Sequence, residues 1–317
     1  MRSPSAALAT LLLAALGLAP TAVAERRMAL TVDDLPAQRA EALPAERVVE
    51  INRRLVATLS AEGVPAVGFV NEGKLEVDGA TPAERIEPLE LWLDAGLELG
   101  NHTRSHPDLH KISTEQFQQE ILAGERITRR LAADREMPLR YFRHPYLHTG
   151  RDLETKAAVE RFLSEHGYRV APVTIDNSEW IFARAYDTAL DRGDSALNQR
   201  LAAAYLEHME AMVAFYESQS RALLEREIPQ VLLVHANDLN AHHLDELLAM
   251  LRQRGYQFTD LADTLSDPAY ELPDLYTGPA GISWLQRWAM TRGVEPSFFH
   301  GEPTVAEWVL EAAGIDD

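Results

Sequence analysis

The stretch "RMALTVDDLP", residues 27–36, is a short apolar run of β-forming residues that ends in two acids and a proline. Such a run predicts a buried strand that leads into a loop. A helix is predicted next, because residues 45–63 place apolar side chains at helical spacing and end in glycine. A second buried strand is predicted at residues 65–71. The chain therefore begins as strand, helix, strand, the repeat of a parallel sheet covered by helices.

The same alternation continues along the chain and predicts four further helices and four further strand segments. The helices are expected over residues 82–95, 113–133, 152–166 and 241–255, and the strands over residues 97–102, 139–146, 168–176 and 229–238. This alternation favours an α/β fold, either a barrel or a doubly wound sheet. Residues 195–227 are predicted to form one long amphipathic helix. It is longer than a crossover needs, and we expect it to be a surface insertion.

The C-terminal part of the chain breaks this pattern. Residues 264–288 are rich in proline, glycine and aromatic side chains, which predicts an irregular segment packed on the domain. Trp284 and Trp288 are four residues apart, a spacing that favours a packed helix face over a sugar-binding platform. We therefore divide the chain after its N-terminal segment into a main domain, 25–265, and a C-terminal extension, 266–317.

The N-terminal segment, residues 1–24, resembles a secretory signal peptide. Arg2 supplies a positive charge, residues 6–18 are apolar, and small residues precede a predicted cleavage point after Ala24. The apolar run is too short to span a bilayer core, and no later run approaches the roughly 18 residues that a span needs. We therefore expect a periplasmic or secreted protein without a membrane span after cleavage. The alternative is an uncleaved N-terminal anchor.

Composition narrows the possible functions. The chain has 49 acidic and 30 basic residues, a formal net charge of −19. Such a surface repels phosphate backbones, so we expect no nucleic-acid partner. There are no cysteines, which excludes disulfides, thiolate metal sites and a cysteine nucleophile.

Polar side chains follow the apolar runs at the predicted carboxyl ends of the strands. They are Asp33, Asp34, His102, Arg143, Asp176 and His235. In β/α folds this edge of the sheet is the face that binds ligands. The alternative is that these residues cap the helices that follow, which explains one or two of them better than all six.

The stretch "ELGNHTRSHPDLH", residues 98–110, spaces His102, His106 and His110 four residues apart. Two histidines and one carboxylate leave open positions on a Zn²⁺-type ion, as catalysis requires. We expect one turn before Pro107 to present His102 and His106 on the same side, and His110 to point elsewhere. The alternative is a polar loop that binds no metal. The adjacent acids after the first strand would repel each other unless a cation lies nearby.

Five motifs in this order are similar to those of a known family. The segments are "TVDD", "HTRSH", "RHPY", "DNSEW" and "LLVH". They resemble the motifs of the polysaccharide deacetylases, the NodB-homology domain or carbohydrate esterase family four, over roughly residues 28–260. The resemblance implies a distorted (β/α)7-type barrel, a divalent metal ion that is usually Zn²⁺, and hydrolysis of N-acetyl groups on sugars.

The resemblance also implies roles for individual residues. Asp33 matches the catalytic base, and Arg143 matches the arginine that orients it. Asp34, His102 and His106 match the metal ligands of the family. An ion there would polarise the acetyl carbonyl and acidify its bound water.

The remaining matches concern the substrate and the leaving group. Tyr146 matches a residue whose backbone N–H helps to bind the oxyanion, and Trp180 matches a wall of the acetyl pocket. His235 matches the general acid, so it must be cationic before it donates a proton. Glu179, where the family more often has aspartate, or Asp176 would raise the pKa of His235.

These features predict a metal-dependent N-deacetylase that acts on an amino-sugar polymer or oligosaccharide. The expected cofactor is one divalent ion, Zn²⁺ or else Co²⁺ or Ni²⁺, and the expected partner is an N-acetylated glycan. The alternatives are an O-acetyl esterase, an amidase acting on a non-sugar amide, a non-catalytic saccharide-binding relative and a structural envelope protein. The pattern does not specify which glycan is bound or the oligomeric state.

Overall fold

The computed structural model describes residues 26–315, so the predicted signal peptide at 1–24 lies outside the described residues. Seven parallel strands form one sheet in this part of the chain. They are β1 (Arg26–Leu35), β2 (Ala66–Val70), β3 (Glu98–Asn101), β4 (Tyr141–Phe142), β5 (Arg169–Val170), β6 (Gln230–His235) and β7 (Tyr256–Phe258). Their order is β5-β4-β3-β2-β1-β6, and β7 pairs with the first residues of β1.

Helices cover the outside of this sheet. They are α1 (Ala45–Glu62), α2 (Ala83–Asp94), α3 (Thr114–Ala123), α4 (Arg126–Ala133), α5 (Leu153–Glu165), α6 (Glu179–Asp191), α7 (Ser195–Leu224), α8 (Asp238–Gln253), α9 (Leu261–Thr264), α10 (Trp284–Thr291) and α11 (Glu307–Ala313). The alternation predicted from apolar spacing is therefore confirmed. No helix within residues 26–315 is both long enough and apolar enough to cross a bilayer.

The segment after β5 closes the sheet into a distorted barrel. The Ala171 amide donates to the Phe142 carbonyl at 2.8 Å, next to β4, and Ile175 forms a parallel bridge with Leu232 of β6. The chain therefore crosses from one edge of the sheet to the other between these residues. The predicted continuous strand over 168–176 is wrong, because Pro172 has no N–H to donate within this crossing. The predicted (β/α)7-type barrel is confirmed.

The predicted helix over 113–133 is two helices, α3 and α4, separated at Gly124. A Cβ built on Gly124 would overlap the backbone of Thr103 and Arg104. Glycine therefore allows the end of α3 to approach the loop that carries the first two histidines. The Arg104 amide donates to the Glu120 carbonyl at 3.1 Å, which fixes this loop on α3.

The long helix predicted at 195–227 exists as α7, but it is not a surface insertion. One face of α7 buries Leu201, Tyr205, Met209 and Val213 against the rest of the domain. Together α6 and α7 form the connection from β5 to β6. The prediction missed α6, which begins after Ser178, a residue with φ of 56°.

The C-terminal extension lies against the barrel. Trp284 and Trp288 are buried, as predicted for a packed helix face. The Trp284 amide donates to the Val173 carbonyl at 2.8 Å, and the Ser283 hydroxyl donates to the Thr174 carbonyl at 2.7 Å. These bonds attach the extension to the segment that closes the barrel.

Candidate active site

The carboxyl ends of β1, β3 and β6 open into one cleft of about 610 Å³. All ten predicted site residues line this cleft or lie within hydrogen-bond distance of a lining residue: Asp33, Asp34, His102, His106, Arg143, Tyr146, Asp176, Glu179, Trp180 and His235. Parallel strands bring residues that are far apart in sequence to one edge, as the strand-end pattern predicted. In register, Asp33 of β1 is the partner of His235 of β6.

Asp34, His102 and His106 converge in the cleft. Each offers one ligand atom, and these atoms all lie within 4.8 Å of one another. Asp34 Oδ1 is buried and makes no hydrogen bond of ordinary geometry, although the Lys74 ammonium lies 3.0 Å away. One carboxylate oxygen and two imidazole nitrogens are a suitable donor set for a Zn²⁺-type ion with open coordination positions. These three residues therefore fit a catalytic metal ion.

The loop that carries the two histidines differs from the helical turn that we predicted. Thr103 and His106 have φ of 68° and 56°, so the loop reverses direction through left-handed residues. The Thr103 hydroxyl accepts from the His106 amide at 3.1 Å and holds this conformation. The rings of His102 and His106 still meet, with centroids 4.7 Å apart.

The tautomer of His102 follows from its partner. Its Nδ1 lies 2.8 Å from the Arg143 carbonyl, which can only accept, so Nδ1 carries the proton and Nε2 keeps its lone pair. Burial lowers the pKa of His102 well below its ordinary value. Burial also lowers the pKa of His106. Neutral rings are the form that binds a metal.

Arg143 is buried next to Asp33. Its Nη1 lies 3.6 Å from Asp33 Oδ2, and its Nη2 donates to the Thr31 hydroxyl at 2.9 Å. The guanidinium also lies over the Phe69 ring, 4.7 Å from the centroid. Burial raises the pKa of Asp33 to about 6, although the charge of Arg143 opposes the increase. A carboxylate with this pKa is suited to accept a proton near neutral pH.

His235 is bonded to Glu179 rather than to Asp176. Its Nδ1 lies 2.7 Å from Glu179 Oε2. Burial disfavours the cationic ring, but the hydrogen bond and charge of Glu179 outweigh this effect and raise the pKa of His235 to about 9. Asp176 instead accepts from the Asn177 amide at 2.9 Å, and burial raises the pKa of Asp176 to about 6. Of the two candidate carboxylates, Glu179 is therefore the one that holds His235.

Glu179 is fully buried and its second oxygen is also satisfied. The side-chain amides of Asn237 and Asn240 donate to Glu179 Oε1 at 2.6 and 2.8 Å. Neither asparagine was predicted, although Asn237 lies just after β6 and Asn240 lies in the first turn of α8. The Asn237 side chain also caps α8 by accepting from the Asn240 amide at 2.9 Å. The prediction also missed Lys74, which has no distinguishing signal beyond its position shortly after β2.

Tyr146 and Trp180 line the open part of the cleft. Tyr146 has φ of 56°, and its amide has no acceptor among residues 26–315. Its ring is 55% exposed and meets the His106 ring edge-on, with centroids 4.5 Å apart. Trp180 is 42% exposed in the first turn of α6. The Tyr146 amide is therefore free to bind an oxyanion, and the Trp180 ring is available to a ligand.

The C-terminal extension supports the loop that carries Tyr146. A Cβ built on Gly281 would overlap the Tyr146 carbonyl, so only glycine permits this approach. The Arg287 guanidinium donates to the Leu147 carbonyl at 3.0 Å and to Asp274 at 2.8 Å. The extension therefore determines where the Tyr146 amide lies.

We expect Gly281→Ala to lower kcat by about tenfold or more, because a displacement of roughly 1 Å at a catalytic group can cost about 10²-fold. The new methyl group would push the Tyr146 loop without touching Asp34, His102 or His106. Acetate release and metal content should be measured beside Ala280→Ser, which changes an exposed neighbour. Full activity in Gly281→Ala would show that the loop tolerates the shift.

The fold and this donor set define a β/α barrel with a candidate metal centre at the carboxyl ends of its strands. The profile of the family described as polysaccharide deacetylase matches residues 21–171. The predicted resemblance to the polysaccharide deacetylases is thus confirmed over this part of the chain.

A curated relative and several solved structures resemble this chain, all at low sequence identity. A peptidoglycan-N-acetylglucosamine deacetylase of Bacillus cereus is 29% identical over 85 residues, which is 27% of this chain and 28% of that protein. A family four carbohydrate esterase from Streptomyces lividans, solved with acetate, is 17% identical over 74% of this chain and 91% of its own, with a TM-score of 0.47. A family four pseudoenzyme from Bacillus anthracis is 16% identical over 76% of this chain and 66% of its own, with a TM-score of 0.48.

Proposed function

We propose that the protein is a metal-dependent deacetylase that hydrolyses N-acetyl groups on an amino-sugar glycan. The convergence of Asp34, His102 and His106 beside a buried carboxylate, Asp33, carries this proposal. Zn²⁺ is the ion that the donor set favours, and Co²⁺ or Ni²⁺ are alternatives. When bound, such an ion polarises the acetyl carbonyl and acidifies a water molecule.

The residues of the chain perform the proton transfers. Asp33 accepts a proton from the attacking water, while Arg143 holds the carboxylate in position. The Tyr146 amide donates to the oxygen that becomes negative when water adds to the acetyl carbon. His235 uses Nδ1 to bond Glu179, which leaves Nε2–H to protonate the departing nitrogen. The C–N bond then breaks to give acetate and a free amine.

Two observations support an amide over an ester substrate. The hydrogen bond with Glu179 keeps His235 cationic near neutral pH, and an amine leaving group needs protonation more than an alkoxide does. The Bacillus cereus relative is named as a peptidoglycan-N-acetylglucosamine deacetylase, which favours N-acetylglucosamine-containing glycans as substrates.

We also propose a periplasmic or secreted location, because residues 1–24 resemble a signal peptide. N-terminal sequencing of the protein from that fraction should begin at Glu25.

The substrate proposal is tested by comparing products from matched acetylated substrates. The purified protein with Zn²⁺ should release acetate and an equal amount of free amine from N-acetylated chito-oligosaccharides. It should release acetate more slowly from O-acetylated oligosaccharides and from non-sugar acetamides. Faster release from an O-acetyl ester would establish the esterase alternative. No release from any substrate by a metal-loaded protein would favour a non-catalytic saccharide-binding relative.

The Glu179–His235 pair predicts a change in pH dependence. Glu179→Gln removes the carboxylate that raises the pKa of His235, so the cationic acid is lost at lower pH. The alkaline limb of the kcat profile should therefore move down by about one unit or more. Glu179→Asp keeps the charge and is the matched control, since it should retain more of the alkaline activity. An unchanged limb in Glu179→Gln would mean that His235 is not the group that sets it.

A further inference from the structure

Three further side chains of the kind that bind metals lie together, apart from Asp34, His102 and His106. They are Asp108, His110 and His148. Each offers one ligand atom, and these atoms all lie within 4.8 Å of one another. His148 also lines the catalytic cleft. The proposed reaction uses none of the three, and His110 is the third histidine of the series that begins at His102.

Asp108 is the centre of this cluster. Its Oδ1 accepts from the His110 amide at 2.9 Å and lies 2.7 Å from His148 Nδ1. Its Oδ2 lies 3.2 Å from the Lys111 ammonium, whose side chain is 79% exposed. The lysine can therefore move into solvent when another cation approaches the carboxylate.

The half-buried ring of His110 has few polar neighbours. Both ring nitrogens are buried, and neither makes a hydrogen bond of ordinary geometry among residues 26–315, although the Pro279 carbonyl lies nearby. Buried polar atoms without partners are uncommon and often indicate an ion or water that satisfies them.

The two imidazole rings are stacked in parallel. The planes of His110 and His148 differ by 8°, and their centroids lie 3.9 Å apart. In-plane lone pairs of parallel rings do not converge on one point. One ring must therefore turn about its Cβ–Cγ bond when an ion binds.

We propose that Asp108, His110 and His148 form a second binding site for a divalent cation of the Zn²⁺ class. Two imidazole nitrogens and one carboxylate oxygen match the ligand preferences of Zn²⁺, Co²⁺ and Ni²⁺, whereas Ca²⁺ and Mg²⁺ prefer oxygen alone. This inference does not depend on the proposed deacetylase activity.

The position of the site gives the second ion a structural role. Asp108 and His110 follow His106 in one loop, and His148 follows Tyr146 in another. The Tyr146 ring lies between them, with its centroid 4.5 Å from the His106 ring and 5.8 Å from the His148 ring. An ion held by both loops would connect the loop that carries a catalytic ligand to the loop that carries the oxyanion donor.

The test counts bound metal ions. The purified, chelator-treated protein is titrated with ZnCl2 by calorimetry and with CoCl2 by visible absorption. Wild type should bind two ions. His110→Ala/His148→Ala should keep the first ion and bind the second more than about 100-fold more weakly, beyond the range typical of outer-shell changes. His102→Ala should lose the first ion and keep the second. His166→Ala, at an exposed site, is the control.

One ion in wild type, or two ions in the double variant, would overturn the second site. Asp108→Asn changes the shape of the cluster least and provides a second test if circular dichroism shows that the double variant is misfolded. Asp108→Asn should lower the affinity for the second ion at least tenfold, and an unchanged affinity would count against the site. Two bound ions without acetate release would contradict the proposed function while leaving this inference intact.

Discussion

Asp33→Asn should lower kcat for acetate release by about 10²–10⁴-fold, the range expected when a positioned general base is removed. Asparagine has nearly the same shape but cannot accept a proton from water. The proposed metal ligands are separate residues, so the variant should still bind the proposed catalytic ion. Asp33 is buried beside Arg143 and lies in the same cleft as Asp34, His102 and His106.

Acetate release and metal content should be measured on the same preparation. Asp245→Asn, an identical exchange at an exposed position of α8, is the matched control and should keep wild-type activity. A loss of activity together with the metal would indicate that Asp33 is a ligand instead of the base. Activity within about tenfold of wild type would exclude Asp33 as the general base.

The second large effect is expected for His102→Ala. The substitution removes one of the three proposed protein ligands and also the hydrogen bond between His102 and the Arg143 carbonyl. Loss of a direct ligand should lower the affinity for the catalytic ion by more than about 100-fold, because even outer-shell partners contribute about 10- to 100-fold to metal affinity. Activity should fall with the bound ion, and added Zn²⁺ should restore part of it.

His166→Ala provides the comparison for this variant, because His166 is exposed at the end of α5. Thermal unfolding of both variants separates loss of the ion from loss of the fold. A His102→Ala protein that keeps the catalytic ion and its activity would remove His102 from the ligand set.

Residues at the ends of strands could be predicted from the sequence because parallel strands end at one edge. Asp33, Asp34, His102 and His235 each follow an apolar run, and one edge of the barrel brings all four together. The choice between Glu179 and Asp176 could not be made in this way. It depends on where α6 begins relative to β6, which is a distance between segments that no local pattern encodes.

Other features depended on contacts between distant segments. Thr103 and His106 adopt left-handed backbone conformations in a loop that packs against the end of α3 at Gly124. The contact between Gly281 and the Tyr146 loop joins segments more than a hundred residues apart. Hydrophobic periodicity describes one segment at a time, and it therefore predicts elements better than the loops that meet at a site.

We expect hydrolysis of the N-acetyl group to depend on a metal ion held by Asp34, His102 and His106. The most direct measurement is acetate release from N-acetylated chito-oligosaccharides by the chelator-treated protein, before and after one equivalent of Zn²⁺ is added. We predict negligible release without metal and a rate that rises with the bound ion. Equal rates with and without bound metal, or no release from the fully loaded protein, would contradict this prediction.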